Sequence, residues 1–184
     1  TWSARLALPA GRDEAAARQA IQAALDEVVA QMSTWEAESD ISRYNRAGPG
    51  WRELPAAFFH VLRHALALAE DSDGAYDPTV GPLVNAWGFG PWQRGFEPPS
   101  PAAIDAARAR CGWRRVALDP ARQAAHQPGG IYLDLSSIAK GYGVDRAAQA
   151  LDALGLTDYL VEVGGELRAR GQRPDGQPWR VAVR

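Results

Sequence analysis

Residues 2–8 alternate between larger apolar and smaller or polar side chains, the period of a β-strand with one face on a core. Pro9, Gly11 and Arg12 break that alternation, and the period then lengthens. Asp13 is a helix-capping residue, and Ile21, Leu25, Val28 and Met32 follow at helical spacing. The pattern predicts a helix running to about Met32 whose apolar stripe packs on a sheet. Residues 33–50 are polar and irregular, with a short capped turn at Ser39-Asp40-Ile41-Ser42. Leu54 and Pro55 open a second helix, with Pro55 at its first helical position. Phe58, Phe59, Leu62, Leu66 and Ala69 give it an apolar face as far as Asp71.

Residues 74–99 are rich in Gly, Pro and aromatic side chains and are expected to form a long ordered loop, the kind that carries function in a compact domain. Ser100 and Pro101 start a third helix that stops at Gly112. Residues 116–118 and 131–135 read as strands. Ser136 or Ser137 caps a fourth helix, from about Ile138 to Leu154, closed by Gly155. Residues 159–163 and 167–170 read as two strands separated by Gly164-Gly165. Pro174-Asp175-Gly176 is a turn, and residues 179–184 read as a last strand. No repeat and no linker interrupts the chain. The expected fold class is α+β: a mixed α/β layered domain, an antiparallel or mixed sheet with packed helices.

Composition narrows the function classes. With 184 residues, a net charge of -2 and 46% hydrophobic residues, the chain suits one globular domain or a large part of one. It is neither basic enough for nucleic acid nor biased enough for disorder. No apolar run is long enough to cross a bilayer as a helix. Arg5, Arg12, Asp13 and Glu14 interrupt any signal-peptide core near the start, while a chain opening at Thr1 is compatible with a processed or anchored precursor. The single cysteine, Cys111, excludes an intrachain disulfide and a cysteine-cluster zinc site. His60 and His64 have helical spacing and could pair on a metal; without a third ligand nearby, a solvated helix face is the simpler reading.

Three segments could carry chemistry. In Asp134-Leu135-Ser136-Ser137-Ile138-Ala139-Lys140-Gly141-Tyr142, a strand runs into a serine-rich turn and a helix begins. Free N–H groups at a helix start favour phosphate oxygens, and Lys140 adds a point charge where a lysine opposes the helix dipole. Asp134 could hold a ribose hydroxyl, a ring N–H or a metal-bound water. An ordinary strand–cap–helix junction explains the same residues equally well. In the segment from Asp73-Gly74-Ala75-Tyr76-Asp77-Pro78 to Asn85-Ala86-Trp87-Gly88-Phe89-Gly90, glycines permit close approach of a flat ligand and Tyr76, Trp87 and Phe89 offer rings. Composition alone favours a rigid turn packed by aromatics. In Met32-Ser33-Thr34-Trp35, the Trp35 ring could cover a flavin or adenine, or simply pack on the surface.

Taken in order, these segments resemble the FAD:protein FMN transferase family, the ApbE-like proteins once called thiamine biosynthesis lipoproteins. Met32-Ser33-Thr34-Trp35 with Ser39-Asp40-Ile41-Ser42-Arg43-Tyr44-Asn45 is similar to one family block. Gly74-Ala75-Tyr76-Asp77-Pro78-Thr79-Val80-Gly81-Pro82-Leu83-Val84-Asn85 with Trp87-Gly88-Phe89-Gly90 is similar to a second and is very specific. The Asp134–Tyr142 segment is similar to a third. Val163-Gly164-Gly165-Glu166, with the Pro174-Asp175-Gly176 turn and Trp179, is similar to a fourth.

The resemblance implies magnesium-dependent cleavage of the FAD pyrophosphate and transfer of FMN to a threonine of an acceptor flavoprotein, with release of AMP. It implies flavin contacts at Trp35, Ala75, Tyr76, Asp77, Asp134 and Lys140, and a magnesium ligand at Ser137 through its backbone carbonyl. It also implies an exported protein, periplasmic and often lipid-anchored to the inner membrane. Thr1-Trp2 matches the tail of a family Met-Gly-Thr strand whose methionine contacts flavin. Family members continue well beyond the strand matching residues 179–184, through a part that carries a His-x-x-Asp-Pro-x-Thr-Gly segment and the aspartate and threonine that complete the metal site. Residues 1–184 are therefore expected to be the FAD-binding N-terminal part of the domain, truncated at the C-terminus and inactive alone, with the catalytic residues outside it and an unpaired edge at 179–184. Two other outcomes stay open: a flavin carrier that holds FAD without chemistry, and a pyrophosphatase that gives FMN and AMP.

Overall fold

The computed structural model describes residues 1–9, 11–92 and 97–182. In chain order the elements are β1 (Trp2–Leu6), α1 (Glu14–Met32), α2 (Asp40–Arg46), β2 (Gly50–Glu53), α3 (Ala56–Asp71), α4 (Gly81–Ala86), α5 (Pro101–Arg108), a 3-10 turn (Trp113–Arg115), β3 (Leu118–Asp119), β4 (Ala124–Gln127), α6 (Ser136–Ala153), β5 (Tyr159–Val163) and β6 (Glu166–Arg170). They fall into two compact units, one of Thr1–Glu27 with Ala139–Arg184, the other of Val28–Ile138. No change of composition marks the division, because both crossings of the chain fall inside helices, α1 and α6. Among the described residues no helix is long and apolar enough to cross a membrane.

The first unit is built on an antiparallel sheet in the order β1-β5-β6. Ala4 lies opposite Val161, and Val161 opposite Arg168. Tyr159 and Val161 join Ile21 and Leu25 of α1 and Val144, Ala147, Ala148 and Leu151 of α6 in one buried cluster. Asp13 starts α1 as expected, its Oδ1 accepting the Ala15 N–H at 2.8 Å. Gly155, at φ 72°, ends α6, with the Leu156 N–H donating to the Leu151 carbonyl at 3.1 Å. Gly164 and Gly165 have φ of 56° and 97°, the pair of positive values that a tight two-residue hairpin between β5 and β6 requires.

The expected strand at 179–184 is corrected. Residues 179–182 form none, and 183–184 lie outside the described residues. A strand exists only where a neighbour completes its ladder. Among the described residues the only ladder contact in this stretch is a bridge between Gln172 and Pro178, which closes the Pro174-Asp175-Gly176 turn.

The second unit holds an antiparallel sheet in the order β2-β4-β3. The α3 residues Phe58, Phe59, Val61, Leu62, Ala65 and Ala69 supply much of its core. Pro55 is the residue before α3 rather than its first helical residue. The capped turn at Ser39 extends into α2, with Ser39 Oγ accepting the Ser42 N–H at 3.2 Å. The long segment after Gly74 contains a short helix, α4, with Pro82 in its first turn. The third helix stops at Arg108. In place of the expected strand at 116–118, a 3-10 turn leads into the two-residue β3.

The largest difference concerns residues 131–135. They are almost wholly buried, as a strand would be, but among the described residues they join no sheet. Side-chain amides stand in for the neighbouring strands. The Gln127 amide pairs with both backbone groups of Ile131, at 3.1 and 3.2 Å. The Asn45 amide pairs with both backbone groups of Leu133, at 2.9 and 2.7 Å. Buried peptide groups need partners of some kind, and here two amides provide them.

Candidate functional site

Of the seven site residues that the resemblance implies, all but Lys140 lie in the second unit. At the end of α3 the chain turns sharply. Asp73 and Gly74 both take positive φ, and the Ser72 hydroxyl accepts the Tyr76 N–H at 3.1 Å. Asp77 then folds back on its own loop. Its Oδ1 accepts the Thr79 N–H at 2.7 Å and the Thr79 hydroxyl at 2.6 Å. The fully buried Thr79 hydroxyl in turn accepts the Gly112 N–H at 2.7 Å. A carboxylate held this way keeps one orientation, which a binding group needs and a freely solvated one lacks.

The two most specific sequence segments meet here. The Asp134 N–H donates to the Pro78 carbonyl at 2.8 Å, so the Asp77 loop and the 131–135 segment run side by side. Asp134 Oδ1 accepts the Ser136 N–H at 2.8 Å, so this carboxylate caps α6 instead of Ser136 or Ser137. An acidic group at a helix start is also favourable for the helix dipole.

Two phenols flank Asp134. The Tyr76 hydroxyl is buried and has no hydrogen-bond partner among the described residues. Burial pushes its pKa up; the nearby Ser137 hydroxyl, outside strict hydrogen-bonding geometry, opposes this, and the charges of Asp134 and Asp77 add to the rise. Tyr132 behaves alike. Burial raises its pKa, Asp134 acts in the same direction, and the amides of Asn85 and Asn45 lower it. Both phenols stay protonated and can donate. Asn85 of α4 is only 6% exposed, and although its amide lies near the Tyr132 hydroxyl, among the described residues neither Nδ2 nor Oδ1 makes a hydrogen bond. Buried polar atoms without partners are rare, and each asks for an explanation such as an absent ligand or water.

Among the rings Tyr132 is buried, whereas Trp35, Phe89 and Trp92 are each more than half exposed. Trp92 meets Tyr132 edge to face, with centroids 5.5 Å apart. Trp35 is 55% exposed and Phe89 76% exposed, so neither is spent on the core. Ala75 is exposed. Glycines make room for the packed rings and amides: a Cβ at Gly81 would collide with the Tyr132 ring, and one at Gly90 with the Asn85 amide. Cys111 is half-buried beside this loop. Burial first, and then Asp77, push its thiol pKa up, which disfavours the thiolate.

The structure thus brings together Tyr76, Asp77, Asp134 and Ser137, with Ala75 on the same loop. Trp35 lies in the same unit. Lys140 belongs to the first unit, is exposed on α6, and lies beside Gly164, where a Cβ would sit 3.0 Å from its Cδ. Asn85 and Tyr132 were not assigned a role from sequence. A tyrosine set between Ile131 and Leu133 was the one available hint. Among the described residues no three His, Cys, Asp or Glu side chains converge on one point.

The ApbE family model matches residues 1–184. A FAD:protein FMN transferase of Haemophilus influenzae is 41% identical over 168 residues, covering 89% of this chain and 49% of that protein. The Escherichia coli protein of the same name is 35% identical over 187 residues, covering 99% of this chain and 53% of that one. The flavin transferase ApbE from Vibrio cholerae superposes with a TM-score of 0.93 at 36% identity, over 99% of this chain and 59% of that structure. The Pseudomonas stutzeri flavinyl transferase ApbE, in its apo form, gives 0.90 at 36% identity. The chain spans about half the length of the curated relatives it matches.

Proposed function

This chain belongs to the ApbE family, and from that premise we propose that the protein it forms part of transfers FMN from FAD to a threonine hydroxyl of an acceptor flavoprotein, releasing AMP. The observation that carries the reading is the Pro78–Asp134 hydrogen bond, which sets Asp77 and Asp134 beside Ser137 and the Tyr76 hydroxyl at the start of a helix. Fixed carboxylates next to neutral phenols and an unpartnered amide suit the hydroxyl and ring N–H groups of a flavin nucleotide. The exposed Trp35 ring offers a stacking face.

Magnesium fits the chemistry of this donor set, which is oxygen throughout, with the orphaned Tyr76 hydroxyl among it. Ser137, through its backbone carbonyl, is the ligand this chain would contribute. When bound, the ion neutralises charge on the pyrophosphate as its bond breaks. The chain's own residues orient the nucleotide. Lys140 is assigned to the phosphate on the strength of the family motif.

The test uses full-length protein with FAD, magnesium and a threonine-bearing acceptor. A fluorescent acceptor band in a denaturing gel is the expected result, and its absence under all conditions overturns the reading. Free FMN with AMP and no labelled acceptor would mark a pyrophosphatase. Bound FAD without AMP would mark a carrier. We further propose a periplasmic location, with a lipid anchor on the inner membrane, which cell fractionation checks.

A further inference from the structure

His60 and His64 stand one helical turn apart on α3, and both are exposed, while their neighbours Phe59, Val61, Leu62 and Ala65 are buried. Their rings meet edge to face with centroids 4.5 Å apart. We propose that this pair is a surface site for a borderline divalent transition metal, Cu2+ above all, bound by one nitrogen from each ring.

Residues four apart on a helix share a face, which is why paired histidines at this spacing recur in metal sites. A metal about 2.0–2.1 Å from each nitrogen needs the two donors roughly 3 Å apart, and rings already in contact reach that separation by small rotations of the side chains. α3 fixes the two Cα positions, so little order is lost on binding. Only a neutral imidazole ligates. Burial, then His64 and Arg63, lower the His60 pKa and so favour that form.

The ligand count decides which metal. Two nitrogens are too few for a closed structural zinc site, which takes four protein ligands. Cu2+ heads the stability order for such donors and accepts a planar set completed by water. Magnesium prefers oxygen, so this site does not compete with the carboxylate–tyrosine site. The remaining histidine, His126, lies on β4 against the Trp51 ring, with centroids 5.3 Å apart, and serves as an internal control.

The experiment is a calorimetric titration of the protein with Cu2+, with electron paramagnetic resonance to count the coordinated nitrogens. One site with two imidazole nitrogens is expected. His60→Gln and His64→Gln should each lower affinity by roughly a hundredfold, because losing either donor removes the chelate. His126→Gln should leave binding unchanged. Both variants alter exposed positions, and circular dichroism without metal checks that they fold. Undiminished binding in both, a one-nitrogen spectrum, or loss only in His126→Gln overturns the proposal.

Discussion

The Asn45 amide and the Leu133 peptide close a reciprocal pair of hydrogen bonds, and the residue after Leu133 is Asp134. A side chain on α2 therefore sets the height of the carboxylate that caps α6. Replacing Asn45 with Leu leaves a largely buried N–H and C=O without partners. The expected cost is about 2–6 kcal/mol, each of the two orphaned groups costing about 1–3 kcal/mol. Urea denaturation measures it.

Among the described residues the Tyr76 hydroxyl has no hydrogen-bond partner. Removing it with Tyr76→Phe should leave stability within about 0.5 kcal/mol of the parent, or raise it, since nothing satisfied is lost. If the hydroxyl serves a ligand, FAD affinity of the full-length protein should nevertheless fall, roughly three- to tenfold for one hydrogen bond. Paired melting and FAD titrations separate the two effects. A fall in both together would mean that Tyr76 is only a packing residue.

Lys140→Ala should weaken FAD binding more than Trp87→Ala. A charge-assisted contact to phosphate contributes on the order of tenfold or more. Trp87 is 47% exposed on the loop after α4, where packing alone is at stake. FAD titrations at matched fold stability decide the ranking, and equal losses contradict it.

Alkaline pH should unfold the protein through its tyrosines. Burial raises the pKa of Tyr44, Tyr76, Tyr132 and Tyr159. An unfolded phenol loses its proton near pH ~10. Above that pH the native state holds protons that the unfolded chain has released, so stability present at neutral pH is lost as pH rises. Urea midpoints should be flat up to about pH 9 and fall beyond it. Phenolate absorbance should show these four groups titrating late or only upon unfolding.

Much of the fold was legible along the chain. Local signals fixed α1, α3, α6 and the β5–β6 hairpin, because caps, helical apolar spacing and paired glycines act within a few residues of one another. The motifs likewise named Tyr76, Asp77, Asp134 and Ser137 before their geometry was known. What the sequence could not give was the meeting of Pro78 with Asp134, or the amides of Asn45 and Gln127 replacing a strand beside residues 131–133. The Pro78–Asp134 and Asn45–Leu133 bonds join residues far apart in the chain, and although Gln127 reaches only four residues on to Ile131, no periodicity betrays any of these pairings. The burial of Asn85 and Tyr132 follows from the same cause. A polar residue's environment is set by what folds over it, so only the tertiary structure decided which of them are left without partners.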